Sequence, residues 1–155
     1  MRSTDMAQDV EDFHTQIINY PIPYPPTLTP PQSVLERIDF MREEVLETYQ
    51  ANMNKDLVEV VDGFLDMAYV ALGSLITMGL TANDIRVLWG FVQEANMAKV
   101  RGETKRGNVY DAAKPAGWVP PNGKIRDYLT ALGATVGPQD DAGHSASPEP
   151  TGDVS

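Results

Sequence analysis

Glu59, Asp62 and Asp66 stand three and four residues apart in a stretch otherwise dominated by Val, Leu, Phe and Met. On an α-helix these spacings bring the three carboxylates within about 60° of one another, in one line along the axis. Each like-charged pair destabilises an isolated helix by roughly 0.2–0.5 kcal/mol, and burial multiplies the penalty. No Lys or Arg lies between Asp56 and Ile85 to offset it. A hard divalent cation, Mg²⁺ or Mn²⁺, prefers oxygen ligands and would do so. Just upstream, Glu44 and Glu47 are also i,i+3 neighbours, with Glu43 at their side. Alone, that set reads more simply as a solvated face. Beside the second set it becomes a matching half-site, because Asn52–Lys55 is short enough to fold two helices into an antiparallel pair.

A basic counterpart lies further on. Lys99, Arg101, Lys105, Arg106, Lys114, Lys124 and Arg126 are seven of the twelve basic residues, with only Glu103 and Asp111 among them. In an acidic protein this segregation suggests an anion site. Asn96 and Lys99 share a helical face that suits a phosphate or a base edge. Lys114-Pro-Ala-Gly-Trp118 joins a cation, a rigid turn and a flat aromatic. Trp118 could stack on a base or pin the loop to the body, and both readings stay open. Lys105 and Arg106, next to glycines, read as a solvated loop.

These residues need helices to position them. Met6, Val10, Phe13 and Ile17 predict a short first amphipathic helix. Residues 20–31 hold six of the twelve prolines and predict an extended arm, over the surface or across a neighbouring subunit. A second helix is expected from about Gln32 to Ala51, with Ser33 and Glu36 at capping-box spacing and Ile38, Met41, Val45 and Tyr49 as its apolar stripe. Asp56 with Glu59 opens a third, ending near Gly79 and apolar on most of its circumference. Thr81 and Asp84 open a fourth, with Ile85, Leu88, Trp89 and Val92 as its core face and Gly102 as its stop. A short helix over about Lys124–Leu132 follows a long loop, and residues 133–155 read as a disordered tail. The expectation is one all-α domain, residues 1–132: four main helices plus a short C-terminal one, with no strand. A third helix so apolar belongs in the middle of a bundle. It is too apolar for a lone bundle of this size, which favours a homodimer or homotetramer.

Composition narrows the function. A net charge of −10 repels nucleic-acid backbones, leaving small phosphorylated ligands met by local cations or metal. There is no cysteine, so thiolate metal sites and disulfides are excluded. Ferritin-like bundles need Glu-x-x-His pairs, and neither His14 nor His144 follows a Glu at that spacing. His14 reads as an ordinary surface histidine. The acidic N-terminus carries no apolar signal stretch, and the longest apolar run, Met67–Met78, is too short to cross a bilayer. A cytoplasmic protein with no membrane partner is the expectation.

Taken together, Glu43-Glu44-Val-Leu-Glu47 followed by Glu59-Val-Val-Asp62 resembles the EExxE…ExxD signature of the MazG-like all-α nucleoside triphosphate pyrophosphatases. Asn96-Met-Ala-Lys99 and Lys114-Pro-Ala-Gly-Trp118-Val-Pro-Pro121 are similar to phage-encoded members. The resemblance covers about Val34–Pro121. It implies Mg²⁺ or Mn²⁺ on Glu44, Glu47, Glu59, Asp62 and Asp66, and hydrolysis of an NTP or dNTP to monophosphate and pyrophosphate by a dimer or tetramer. Glu44 or Glu47 would accept the proton of the attacking water, and Asn96, Lys99, Lys114 and Trp118 would meet the substrate. A phage branch that consumes dGTP, the MazZ type, is compatible, which would put the enzyme in the host cytoplasm.

The signature departs from the family in two ways. The gap between Glu47 and Glu59 is slightly short. The family aspartate could be Asp62 or Asp66, and in the second case the usual glutamate position falls on Gly63. Competing readings are a pyrophosphohydrolase acting on another metabolite and a non-catalytic acidic phage protein that binds a host factor.

Overall fold

The computed structural model describes residues 5–28, 30–102 and 110–137. They form five α-helices: α1 (Met6–Asp12), α2 (Pro31–Met53), α3 (Leu57–Thr77), α4 (Ala82–Met97) and α5 (Asn122–Ala131). A wider π-helical turn, Phe13–Ile17, extends α1. The long loop is not wholly irregular: β1 (Val100–Arg101) and β2 (Ala112–Ala113) pair antiparallel, Val100 opposite Ala113 and Arg101 opposite Ala112. Two residues per strand leave no alternation for a sequence to display. Lys105 and Arg106, and the tail from residue 138 on, lie outside the described residues.

The helix ends follow local chemistry. Pro31 stands in the first turn of α2 behind Pro30, the N-cap, and no side chain caps this helix. Ser33 is already inside that turn, its N–H on Pro30 O, so the expected capping box with Glu36 does not form. Proline lacks the donor a cap would satisfy. The α2–α3 turn closes with Asp56 N–H on Ala51 O and Lys55 N–H on Asn52 O, both 3.0 Å. Lys55 holds the left-handed position usual for glycine there, at φ 58°. Asp56 then caps α3 through Val58 and Glu59 N–H. Thr81 and Asp84 form the reciprocal capping box that starts α4. That helix ends at Met97, short of Gly102, where the chain turns into β1.

The core sits at one end of the molecule. Ala7 and Val10 of α1, Ile76 of α3, Leu80, and Ala82 and Ile85 of α4 are buried together, with Leu72, Leu88, Leu129 and Leu132 packed around them. Glu11 ties α1 to α4 by accepting from Ala82 N–H, and Arg86 pairs with Asp5. The buried face of α1 is therefore Ala7, Val10 and His14, while Met6 and Ile17 point outward. His14, at 3% exposure, is no surface residue; its Nδ1 donates to Val10 O. Trp89 likewise leaves the core face of α4, which runs instead through Ala82, Ile85 and Ala95. The proline-rich arm runs over its own chain at the end of α3: Thr27 N–H bonds Met78 O, and Pro23 O lies against Gly79.

The long α2–α3 pair carries the largest surprise. The inward line of α2 is Arg37, Met41, Glu44, Thr48 and Ala51, which keeps only Met41 of the expected apolar stripe. Arg37 donates to Ser74 Oγ and Val70 O, and Thr48 closes on the backbone at Gly63. Ile38, Val45 and Tyr49 face outward, as do Val61, Phe64 and Leu65 of α3. Phe64 is 62% exposed, so α3 is not the centre of this single-chain bundle. By length and composition alone α3 could also cross a membrane. Asp62 and Asp66 near its middle argue against it, at about 2.5–3.5 kcal/mol each in hydrocarbon.

Gly63 sets how closely these helices approach, because a Cβ there would overlap Thr48 Oγ1. Gly63→Ala is expected to lower stability by about 1–3 kcal/mol. Gly90, mid-α4, has open space around it, and Gly90→Ala should raise stability by about 0.5–1 kcal/mol. Urea unfolding followed by far-UV circular dichroism compares the two. A Gly63→Ala midpoint equal to that of the parent chain would rule out the close approach.

Candidate active site

At the end of the molecule away from the core, α2 and the first half of α3 enclose an open pocket of about 290 Å³. Glu44, Glu47, Thr48, Gln50, Ala51 and Asn54 line it from one side, and Asp56, Glu59, Asp62, Gly63 and Asp66 from the other. All five carboxylates read from the sequence meet here. The helical face argument works because α2 and α3 run antiparallel from a tight turn. That turn puts the last third of α2 against the first half of α3. Asp62 and Asp66, rivals for one role in the sequence, both line the pocket. No acid could occupy position 63 between them, since Thr48 closes over that backbone. Thr48 Oγ1 in turn donates to Glu44 O at 2.7 Å.

Every charged group in the lining is a carboxylate. The consequence is greatest at Glu44, the half-buried member. Burial raises its pKa first, and the charges of Asp66, Glu47, Glu43 and Asp62 push it up further. Among the described residues no three acids stand close enough to grip an ion as placed. The donor set nevertheless fits a hard divalent cation, since the acids are joined by the neutral oxygens of Thr48, Gln50 and Asn54. Glu47, Glu59, Asp62 and Asp66 are exposed, and their side chains are free to change rotamer.

Asn96, Lys99, Lys114 and Trp118 also come together, but elsewhere, where α4 gives way to the two-stranded ladder. Lys99 Nζ donates to Asn96 Oδ1 at 2.8 Å. Trp118 Nε1 donates to Ala95 O at 2.7 Å, and Lys114 and Lys99 Nζ lie 4.6 and 5.6 Å from the indole centroid. Of the two roles open to Trp118, this geometry supports pinning the loop. None of the four lines the acidic pocket of its own chain.

A larger groove, about 760 Å³, runs between the proline-rich arm, the start of α2 and the end of α3. Its walls are mostly apolar and hold no carboxylate, so it lacks the chemistry of the smaller pocket. Arg37 lines it, with a pKa lowered by burial. Thr48, Gln50, Asn54 and Arg37 were not foreseen from the sequence. Gly63 had a signal, a glycine inside a strongly apolar helix; the others had none.

The sequence model of the phosphoribosyl-ATP pyrophosphohydrolase family matches residues 10–96, which include every carboxylate of the pocket. A search of curated proteins gave no match.

Glu44 holds its proton more tightly folded than unfolded. Its contribution to folding is therefore full below the ordinary glutamate range and is lost as pH rises through the raised value. In metal-free protein, Glu44→Gln is expected to raise the thermal midpoint at neutral pH, with the gap closing as pH falls below the glutamate range. Melts across that pH series check this; a gap independent of pH would assign the effect to packing instead of charge.

Proposed function

The chain belongs to the phosphoribosyl-ATP pyrophosphohydrolase family, within the MazG-like all-α superfamily, and from that premise we propose that it hydrolyses a nucleoside triphosphate to monophosphate and pyrophosphate. The observation that carries this reading is the acidic pocket: five carboxylates from α2 and α3, joined by the cap Asp56, with no cation among the described lining residues. Glu47, Glu59, Asp62 and Asp66 would hold Mg²⁺ or Mn²⁺. Positive charge on the triphosphate oxygens and on the attacking water is the chemistry such an ion supplies.

The remaining work falls to the chain itself. Glu44, the half-buried acid beside the four assigned to the ion, is the carboxylate we assign to take a proton from the water that attacks the α-phosphorus. Thr48 fixes the α2 backbone at Glu44 by its hydrogen bond to Glu44 O. Closeness of the helices at Gly63 holds the two acidic sets at a constant separation. The substrate's negative charge also needs protein cations, and the described lining of one chain's pocket has none. We assign that role to Lys99 and Lys114 of a second copy, packed on the outward apolar flank of α2 and α3. The family match favours one other reading, a pyrophosphohydrolase on a different nucleotide metabolite such as phosphoribosyl-ATP.

A panel of the eight common nucleotides plus phosphoribosyl-ATP, with Mg²⁺ or Mn²⁺ and product identification, tests both. At least one triphosphate, with dGTP the first to try, should give monophosphate and pyrophosphate. Cleavage of phosphoribosyl-ATP alone would select the second reading, and no cleavage at all would end the first. Glu44→Gln should lower kcat by about 10²–10⁴-fold, the usual worth of a positioned base. Asp62→Asn should abolish turnover while helical content is kept.

The second-copy arrangement has its own check. Light scattering should give two or four chains, and Phe64→Glu, a charge on the apolar flank, should shift the mass toward one. A single-chain mass for the unmodified protein would rule the arrangement out.

A further inference from the structure

The acidic pocket is rich in hydrogen-bond acceptors and poor in donors. Its six carboxylates, the five above and the cap Asp56, accept hydrogen bonds when ionised and donate none. The Thr48 hydroxyl already donates to Glu44 O at 2.7 Å. Among the described lining residues, the side-chain donors left for a ligand are those of Gln50 and Asn54. These two follow Glu47 by three and seven residues, so they continue its face of α2 toward the α2–α3 turn.

The two amides are held together. Gln50 Nε2 donates to Asn54 Oδ1 at 3.2 Å. That bond leaves the Asn54 amide N–H groups and the Gln50 carbonyl oxygen open, a donor beside an acceptor. Exchanging O and N in both amides gives the same outcome, with Gln50 supplying the donor and Asn54 the acceptor. Local structure asks for neither residue. Asn54 ends α2 through its backbone N–H, on Gln50 O at 3.0 Å, and the left-handed position of the turn falls to Lys55 at φ 58°. Both side chains are exposed, where an i,i+4 amide pair adds little to a helix.

The two ends of a nucleotide need different partners. Its phosphates go to the ion assigned above to Glu47, Glu59, Asp62 and Asp66. Its base presents an edge on which donors and acceptors are neighbours. Carboxylates can answer only the donors of that edge, whereas a donor beside an acceptor answers both. The described lining holds no aromatic side chain on which a base could stack, so edge hydrogen bonds are the discriminating contact it offers. We propose that Gln50 and Asn54 read the base edge of the nucleotide and set which base the pocket prefers. The proposal rests on the nucleotide reading above and deepens it, adding two specificity-determining residues to the same site.

The test is calorimetric titration of the full chain, in Mn²⁺, with the α,β-methylene analogues of ATP, GTP, CTP and UTP, which needs no turnover. One analogue should bind tightest. Gln50→Leu and Asn54→Ala should each weaken that one by about tenfold, the worth of a hydrogen bond or two, and bring the four affinities together. Mn²⁺ affinity without nucleotide and the far-UV circular dichroism should match the parent chain. Equal affinity of the parent chain for all four analogues, or a base preference kept in both variants, would overturn the proposal. So would weaker Mn²⁺ binding with a proportional loss on all four, which would make the amides ligands of the ion. The 2′-deoxy form of the tightest analogue separates base from sugar: a changed ribose preference with the base preference intact also overturns it. If Asn54→Ala is unfolded, Gln50→Leu decides. Binding of no analogue at all would end the nucleotide reading and this proposal with it. Nucleotide binding whose base preference ignores both substitutions ends this proposal alone.

Discussion

Two acidic helix faces are held against each other by a contact that has room for nothing larger than a hydrogen at position 63. Thr48 fills the space where a side chain would be, and its hydroxyl bonds back to the α2 backbone at Glu44. This approach keeps Glu44 and Glu47 on one wall and Glu59, Asp62 and Asp66 on the other. Burial first, and then the charges of the neighbouring carboxylates, raise the pKa of Glu44 there. Stability and chemistry conflict at this spot, because carboxylates crowded without cations weaken the fold while making a strong site for a divalent ion.

The fold tolerates that conflict by dividing α3 lengthwise. Its C-terminal end packs with α1 and α4 around Ile76 and Leu80, where the buried apolar contacts are concentrated. Its N-terminal half carries the carboxylates and contributes little to that core. Strain at the acidic end is thus kept away from the residues that anchor the bundle. Arg37 is a second joint, tying α2 to α3 through Ser74 and Val70 where the arm crosses the turn after α3.

The cations are kept apart from the acids within one chain. Lys99 and Lys114 sit around Trp118 where α4 ends, and neither they nor any other described basic residue lines the acidic pocket. Had they done so, ion pairs would quench both halves of the chemistry. Separation leaves each set its charge, one suited to a metal ion and the other to a phosphate.

Spacing determined most of the site in advance. Acids at positions 59, 62 and 66 fall on one helical face because 3.6 residues make a turn, and Glu44 with Glu47 does the same. The short connection dictated that the two faces belong to antiparallel neighbours. Caps at Asp56 and at Thr81 with Asp84 were legible because they are local hydrogen bonds between residues close in sequence. What was not legible depended on contacts between distant segments. The inward line of α2 is Arg37, Met41, Glu44, Thr48 and Ala51, of which the apolar stripe foresaw only Met41, since polar groups from α3 and a glycine gap were there to receive the rest. Hydrophobicity alone pointed to Ile38, Val45 and Tyr49, which face outward. His14 is buried because it follows Ala7 and Val10 at spacings of three and four and meets Gly73 of α3, and only its polar side chain hid this from the apolar pattern. The approach of Lys99 and Lys114 to the same Trp118 needed a two-residue ladder between segments a dozen positions apart. The sequence by itself determined which residues share a helix face. Tertiary structure decided which face turns inward, because that depends on the shape of the surface it meets.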